Sequence, residues 1–475
     1  MERSEAGIIK KNILFNICRT LMNVAYPVVT FSYAARILTV DDMGSVMFSR
    51  NYVSYFLLLA LLGVSYYGVR EGARLAKDRV RFQKFFLEIN MINIVATICA
   101  SMIFFVSIFV VDKLYGYRIL LLISSVGILL SGLGNEWVLI SFEEYRYLAI
   151  RTLLIQLACI ALIVFFVRSQ EDYVIYCAIL LLSSSGPALF NWAFLIKNKL
   201  LHKVPLHELE IKKHLKPIFV LFAMLASIDL YTMLDTTMLG FIKSDYEVGI
   251  YNAAIKIPRL ANSVIASVGA VLVPRLSYYY DVDKEHFQRL IDKAQNFIIF
   301  ITVPACVGIV MMAKEIVLVF AGDQYESAFL TTRLLAPLTL IIPISVLFNN
   351  QVFIPMRKEM LVLKSTCVGA AVNLILNGLL IPSFAENGAA IASVAAELSV
   401  MMVCVYHVKK ELKTQVVWKK YLWAVITSVS IVLVCLLTEK IIDNTYLRLG
   451  FAVITCGCVY VLLNVKTIKQ IMDLR

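Results

Sequence analysis

Ionisable side chains inside long apolar segments are the residues of this sequence best suited to chemistry. They occur where segments of about 20 apolar residues would cross a membrane. Each such charge costs about 3 kcal/mol on insertion scales, so each must face a partner or a water-filled cavity. The basic residues are Arg19, Arg50, Lys256, Arg259 and Arg333, and the acidic ones are Asp229, Asp235 and Glu397. This excess of basic residues favours a negatively charged ligand.

The depths of four of these residues suggest pairs. A rise of about 1.5 Å per residue places Asp229 and Arg259 near the midplane, with Asp235 and Lys256 in the outer half. Two interpretations remain open for Asp235 and Lys256: a salt bridge between neighbouring helices, or separate roles in binding and ion coupling.

Three of the basic residues, Arg50, Arg259 and Arg333, have no evident acidic partner in the sequence, which favours a role in ligand binding. Arg19 lies in the inner third of its segment. It either extends to the membrane surface or faces the interior.

Three glutamates lie in the predicted spans, one in the middle of its span and two nearer the membrane edge. Glu397 lies in a stretch of small residues, 388–399, which suits close helix packing. It either hydrogen-bonds a neighbouring helix or carries a coupling proton. Glu88 and Glu136 lie nearer the membrane edge, and we interpret them as interface residues.

The composition requires that these residues sit on membrane helices. Hydrophobic residues make up 60% of the 475 residues and charged ones 16%, whereas soluble domains have roughly 45–50% apolar and 25% charged residues. The sequence therefore predicts an all-α polytopic membrane protein with fourteen spans. They lie near residues 13–35, 44–64, 85–111, 119–140, 148–167, 173–195, 217–241, 248–273, 295–313, 327–349, 360–382, 385–407, 421–437 and 446–463.

Lysine and arginine are distributed asymmetrically over the intervening loops. If the N-terminus is cytoplasmic, 32 of the 45 lie in cytoplasmic segments or at their edges, eight lie in the outer segments or at their edges, and the five named above lie deeper within spans. This is the positive-inside pattern, and one missed or added helix would disrupt it. We therefore expect both termini in the cytoplasm. Because the net charge of +12 arises from these anchors, it does not indicate a nucleic-acid partner.

The loops contain no recognisable catalytic site. All ten cysteines fall within predicted spans, and the five histidines show no metal-ligand spacing. No P-loop, dinucleotide-binding glycine pattern or nucleophile elbow is present. The outer loops are short, whereas membrane glycosyltransferases and ligases build their chemistry on a large one. We therefore expect no cofactor, no metal and no enzymatic activity.

The two halves of the chain resemble each other. Residues 36–44 and 241–249 each place an acidic turn before a glycine, and Arg50 or Lys256 follows six or seven positions later. This pattern predicts a parallel repeat of two six-helix lobes. Residues 1–200 would hold helices 1 to 6, residues 201–410 helices 7 to 12, and residues 411–475 an appendage of helices 13 and 14.

Six motifs spread over nearly the whole chain form a recognisable set. They are YAARILTVDDMG (residues 33–44), YYGVREGAR (66–74), LDTTMLG (234–240), VGIYNAA (248–254), QVFIP (351–355) and NGAAI (387–391). The set resembles bacterial polysaccharide-unit flippases of the Wzx type. With the predicted spans, the resemblance implies the fold of the multidrug/oligosaccharidyl-lipid/polysaccharide exporter superfamily.

The resemblance also implies a function in surface polysaccharide biosynthesis. Such flippases move an undecaprenyl-diphosphate-linked oligosaccharide repeat unit from the cytoplasmic to the outer leaflet of the bacterial inner membrane. Crossing hydrocarbon is prohibitive for a diphosphate without compensating charge. We expect the five basic residues of the spans to line a central cavity that binds it, while the prenyl tail stays among the bilayer lipids.

The mechanism implied by the resemblance is alternating access driven by an ion gradient. Rocking of the two lobes would be coupled to H+ or Na+, with Asp229, Asp235 and Glu397 as candidate carriers. A polysaccharide polymerase and a chain-length regulator are the implied protein partners. Two alternatives share the fold: a lipid-linked peptidoglycan precursor flippase, and a cation-coupled multidrug antiporter. The antiporter is disfavoured because helix 1 contains Arg19 and no acidic residue.

Overall fold

The chain folds into helices that form two compact units. The structure, a computed structural model, describes residues 2–197, 209–270, 273–412 and 418–465. Every regular element in these ranges is helical, so the prediction of an all-α fold is confirmed. The units are Met1–Leu230 and Tyr231–Arg475.

Unit 1 contains nine complete α-helices among its described residues, and two 3-10 helices, Asp112–Tyr117 and Gln170–Asp172. The α-helices are α1 (Glu2–Ala34), α2 (Val40–Leu61), α3 (Val64–Leu75), α4 (Arg79–Val110), α5 (Arg118–Gly132), α6 (Glu136–Ser141), α7 (Tyr145–Phe166), α8 (Tyr173–Ser185) and α9 (Pro187–Lys197). A tenth, α10 (Lys212–Ile242), begins in this unit and ends in the other.

Unit 2 follows with another nine α-helices in the described ranges. They are α11 (Asp245–Ala270), α12 (Val273–Val282), α13 (Lys284–Met311), α14 (Ala313–Ala321), α15 (Ala328–Leu335), α16 (Leu338–Val346), α17 (Glu359–Leu412), α18 (Trp418–Ile441) and α19 (Thr445–Leu463). A π-helix, Leu347–Phe353, continues α16 and carries the start of the QVFIP motif.

Ten stretches of the described residues are long and apolar enough to cross a membrane, or eleven if the two parts of α10 count as one span. All fourteen predicted segments coincide with helices or helix pairs, but α1 and α11 are not among the ten. In α11 the apolar run is interrupted by Asn252, Lys256, Arg259 and Asn262. The chain is thus a multi-pass membrane protein.

Helix α17 contains two predicted spans joined by a sharp reversal. Its 54 residues would extend about 80 Å if continuous, far beyond a hydrocarbon core of roughly 30 Å. The backbone breaks at Ala385, with φ 47° and ψ −127°. A Cβ atom on Gly388 would lie 2.5 Å from the carbonyl oxygen of Leu380. The two arms therefore approach closely, and glycine makes that contact possible.

The acidic turns of the repeat are helix caps. The Thr39 hydroxyl accepts a hydrogen bond from the backbone N–H of Asp42 at 3.1 Å, at the start of α2. At the start of α11, the Ser244 backbone N–H donates to Glu247 Oε2 at 3.0 Å. Because free N–H groups and the helix dipole both favour negative charge at a helix start, the two turns serve the same local purpose.

The two C-terminal helices pack against unit 2 through an apolar contact and an ion pair. Buried residues of α18 and α19, including Cys435 and Tyr460, form a cluster with Met312 beside α13 and α14. Arg448 Nη1 lies 2.9 Å from Glu315 Oε1. These contacts anchor α18 and α19 to the rest of unit 2.

The reversal in α17 generates a stability prediction. We expect Gly388→Ala to lower the free energy of unfolding by about 1–3 kcal/mol, because its new methyl group would collide with backbone atoms. Gly378→Ala is the matched control on the same helix, where a Cβ meets no atom within 4 Å. Thermal melting of the two purified variants checks this. Equal melting temperatures would contradict the proposed close approach.

Candidate functional site

Four polar side chains converge on Asp235, which is 4% exposed. Asn373 and Asn377 donate to its Oδ1 atom at 2.9 Å and 2.7 Å. Tyr251 and Ser393 donate hydroxyl protons to its Oδ2 atom at 2.6 Å and 2.5 Å. The four hydrogen bonds occupy both oxygens of this carboxyl group without any opposite charge.

The fold of unit 2 brings these residues together from three helices. Asp235 lies on α10 and Tyr251 on α11. Asn373 and Asn377 are one turn apart on the first arm of α17, so they share a face, and Ser393 lies on the second arm. The reversal at Ala385 is therefore what allows both arms to reach one carboxylate.

Of the two interpretations for Asp235 and Lys256, the salt bridge is not formed. All four partners of Asp235 are neutral. Lys256 is half-buried on α11 and makes other interactions, as does the half-buried Asp229 on α10. Asp235 and Lys256 were compared by their depth in the membrane, but depth does not specify which helix face a side chain occupies. The asparagines of α17 therefore bind Asp235 where a lysine at the same depth does not.

A small cavity adjoins Asp235 and contains a second carboxylate. Tyr231 donates its hydroxyl proton to Glu397 Oε1 at 2.9 Å. Glu397, Asp235 and Arg259 all line the cavity, whose volume is about 60 Å³. Small-molecule sites measure roughly 300–1,000 Å³, so this one has room for an ion or a few waters and not for a sugar.

Arg259 is exposed at this cavity. Its Nη2 atom donates to the backbone carbonyl of Thr232 at 3.4 Å, and no carboxylate of the described residues forms an ion pair with it. Arg333 lies apart, exposed on α15, where its Nε atom donates to the Val310 carbonyl at 3.1 Å. Its guanidinium stacks 5.3 Å from the Phe329 ring centroid.

In unit 1, Arg19 belongs to an ionic network. Glu136 forms an ion pair with Arg19 and a second with Arg151, whose Nη2 atom lies 2.9 Å from Glu136 Oε2. Arg151 also hydrogen-bonds Asn191, which donates to the Gly134 carbonyl at 2.6 Å. The interpretation of Glu136 as an interface residue is wrong, because this carboxylate joins α1, α6 and α7.

Arg50 is a second predicted span residue of this unit. It lies half-buried on α2, and within the described ranges no carboxylate forms an ion pair with it. Among the predicted basic residues, Arg50, Arg259 and Arg333 thus form no ion pair with a carboxylate of the described residues, whereas Arg19 shares the carboxylate of Glu136 with Arg151.

Comparison with known proteins identifies the family. The family described as "Polysaccharide biosynthesis protein" matches residues 9–279, more than half of the 475 residues. The chain belongs to this family. The resemblance to Wzx-type flippases is confirmed.

Several known proteins and solved structures are similar to this chain. The "Putative O-antigen transporter" of Shigella dysenteriae is 25% identical over 406 residues, covering 84% of this chain and 100% of that protein. The protein of the same name from Escherichia coli K12 is 23% identical over 402 residues, covering 84% and 97%. A lipid II flippase, MurJ, in an inward closed conformation superposes with a TM-score of 0.77 at 15% identity, covering 97% and 100%. An inward-facing MATE-family multidrug transporter gives 0.62 at 14% identity, covering 87% and 95%. At these identities the structures establish the fold alone.

Unit 1 contains a further buried cluster that sequence reasoning missed. Glu88 is fully buried, so its interpretation as an interface residue is also wrong. Its Oε2 atom lies 2.7 Å from His214 Nε2, and His214 Nδ1 lies 2.8 Å from the Tyr67 hydroxyl. The backbone N–H of Glu210 donates to Glu88 Oε1 at 2.7 Å. No spacing in the sequence links these residues, because they lie on α3, α4 and the start of α10.

Glu210 extends this cluster to the surface. Its carboxylate accepts a hydrogen bond from Lys213 at 2.8 Å and lies 3.9 Å from Lys84 Nζ. The hydrogen bond and charge of Lys213, followed by the charge of Lys84, hold the pKa of Glu210 below its ordinary value. Lys213 also reaches Glu88 Oε2 at 3.4 Å, so the start of α10 is tied to α4 by several charged contacts.

The ionic network of unit 1 generates the second prediction. We expect Glu136→Gln to lower the free energy of unfolding by about 2 kcal/mol, because Arg151, whose side chain is 3% exposed, would remain buried without a counter-charge. Glu71→Gln removes a carboxylate from the exposed partners Arg70 and Arg74, and we expect a loss below about 1 kcal/mol. Thermal melting of purified protein compares them; a larger loss for Glu71→Gln would contradict the assignment.

Proposed function

We propose that this chain is a flippase for a polyprenyl-diphosphate-linked oligosaccharide. In this proposal it moves an undecaprenyl-diphosphate-linked repeat unit to the outer leaflet of the bacterial inner membrane for surface polysaccharide biosynthesis. Family membership supports the cargo class, and the superfamily fold supports a transporter. The observation that carries the proposal is a pair of span arginines, Arg50 and Arg259, without a carboxylate partner among the described residues.

The chemistry of the cargo explains why such arginines are needed. A diphosphate loses its hydration shell on entering the membrane, at a cost of tens of kcal/mol for an isolated ion in hydrocarbon. Guanidinium groups bind phosphate oxygens through two parallel N–H donors and stay charged at every relevant pH. Arg50 and Arg259 are the proposed diphosphate ligands, with Arg19, Lys256 and Arg333 contributing further positive charge.

The Asp235 cluster is the proposed site of ion coupling. Its one buried carboxylate lies among neutral oxygen-bearing side chains, and Asn377 Oδ1 is buried without a hydrogen-bond donor among the described residues. The described residues contain no group of three or more His, Cys, Asp or Glu that could hold a metal ion. A single negative charge with amide and hydroxyl oxygens suits a monovalent cation such as Na+, or a proton.

Glu397 is the second proposed carrier, because it lines the same small cavity as Asp235. Two carboxylates that line one cavity repel each other, and this favours the binding of one cation or proton there. Asp229 stays a third candidate for coupling. We further propose that the fourteen helical segments are fourteen spans, with both termini cytoplasmic and α18 and α19 added to a twelve-helix repeat.

Charge reversal tests the diphosphate ligands. We expect Arg50→Glu and Arg259→Glu each to abolish surface polysaccharide in cells that depend on this chain, because a carboxylate would repel the diphosphate. Immunoblotting should show unchanged protein levels. Arg289→Glu is the control, since Arg289 is exposed and paired only with Glu285 at the start of α13. Wild-type polysaccharide from both Arg50→Glu and Arg259→Glu would refute the assignment.

Isosteric neutralisation tests the coupling site. We expect Asp235→Asn to reduce lipid-linked oligosaccharide transport in proteoliposomes to the level seen without an ion gradient, because it removes the charge that attracts the cation. Glu397→Gln should weaken the dependence on that gradient. Separate collapse of the proton and sodium gradients identifies the ion, and Glu285→Gln is an exposed control. Full gradient dependence in Asp235→Asn would exclude this carboxylate as the carrier.

A further inference from the structure

An apolar groove lies on unit 1 among α2, α4 and the first turns of α10. Its volume is about 460 Å³, within the range of roughly 300–1,000 Å³ typical of small-molecule sites. Every lining side chain is apolar, and the lining includes Leu59, Met91, Val95, Cys99, Ile103 and Leu215. A groove with no polar group selects a hydrocarbon chain.

The depth of the groove matches one leaflet of a bilayer. Its wall on α4 runs from Met91 to Ile103, which is about 18 Å at 1.5 Å per residue. Half of a typical hydrocarbon core is about 15 Å. The lower end lies one turn beyond Glu88, which accepts a hydrogen bond from the Glu210 backbone. The groove thus begins at the level where α10 enters the membrane.

Free positive charge borders this lower end. Ile211 and Leu215 line the groove, and the residue after each is an exposed lysine, Lys212 and Lys216. In the described part of the chain neither lysine forms an ion pair with a carboxylate. The nearby carboxylate of Glu210 is already held by Lys213 and Lys84. The two free lysines therefore have charge to offer a phosphate group.

We propose that this groove binds an anionic phospholipid of the same leaflet. One acyl chain occupies the groove, and the phosphate lies against Lys212 and Lys216. Basic pockets beside membrane helices at the cytoplasmic surface bind anionic headgroups in this way. The occupant is a bilayer phospholipid because a polyprenyl chain is much longer than a groove one leaflet deep. This inference does not depend on the proposed cargo.

The bound lipid stabilises the contact between α4 and α10. Its acyl chain fills the space between Met91 and Leu215, beside the contacts that Glu88 makes with His214 and Lys213. Anionic phospholipid should therefore raise the melting temperature of the purified protein, whereas a neutral phospholipid of the same chain length should raise it less.

Native mass spectrometry of the full-length protein in detergent tests the proposal. Phosphatidylglycerol is the anionic probe and phosphatidylcholine the neutral one. We expect preferential binding of phosphatidylglycerol, and about fivefold weaker binding for each of Lys212→Gln and Lys216→Gln. Cys99→Trp places an indole in the groove and should weaken binding of both lipids about tenfold or more.

Two matched controls separate the groove from general lipid binding. Ile98→Trp adds the same bulk at a neighbouring exposed position of α4 outside the groove. Lys409→Gln with Lys410→Gln removes two exposed charges from the end of α17. Both should bind phosphatidylglycerol like the wild type. Equal affinity for the two lipids, no change in the lysine variants, or displacement of phosphatidylglycerol by equimolar undecaprenyl phosphate would overturn the proposal. Polysaccharide output in cells is a separate readout.

Discussion

A charge below the membrane surface must be matched by an opposite charge, by hydrogen-bond dipoles or by water, and this requirement determines which helices meet in this protein. Glu136 is matched by opposite charges, because its carboxylate forms ion pairs with Arg19 and Arg151 from two other helices. Asp235 is matched by hydrogen-bond dipoles, because four neutral donors from two helices surround its carboxylate.

These two arrangements leave charges of opposite sign in the two units. In unit 1, two arginines share one glutamate and Arg50 stays unpaired among the described residues, so the spans of this unit retain positive charge. In unit 2, the charge of Asp235 is solvated by dipoles and never cancelled. A retained positive charge attracts an anion, and a solvated negative charge attracts a small cation. The proposed function would use both charges, one for the anionic cargo and one for the coupling ion.

The Asp235 site also requires the backbones of the two arms of α17 to approach closely. Asn377 and Ser393 are 142 and 158 residues from Asp235 in sequence, yet they bond the same carboxylate because α17 reverses at Ala385. The reversal depends on Gly388, where any Cβ atom would press on the opposite backbone. Gly388 in the NGAAI motif is therefore explained by its contact with the first arm of α17. It affects the Asp235 site only by allowing the two arms to approach closely.

The sequence by itself determined the all-helical membrane class, the helical segments and the family, because hydrophobic length and short motifs are local properties of the chain. It also located the charges that matter, including Arg19, Arg50, Asp235 and Glu397. It did not determine their partners: an ion pair with Lys256 was one of two interpretations for Asp235, and the asparagines of α17 bind it instead. Glu88 and Glu136 were placed at the membrane edge, and both are tied into polar clusters. Partner choice depends on helix rotation and on which faces pack together, and only the tertiary structure decides these.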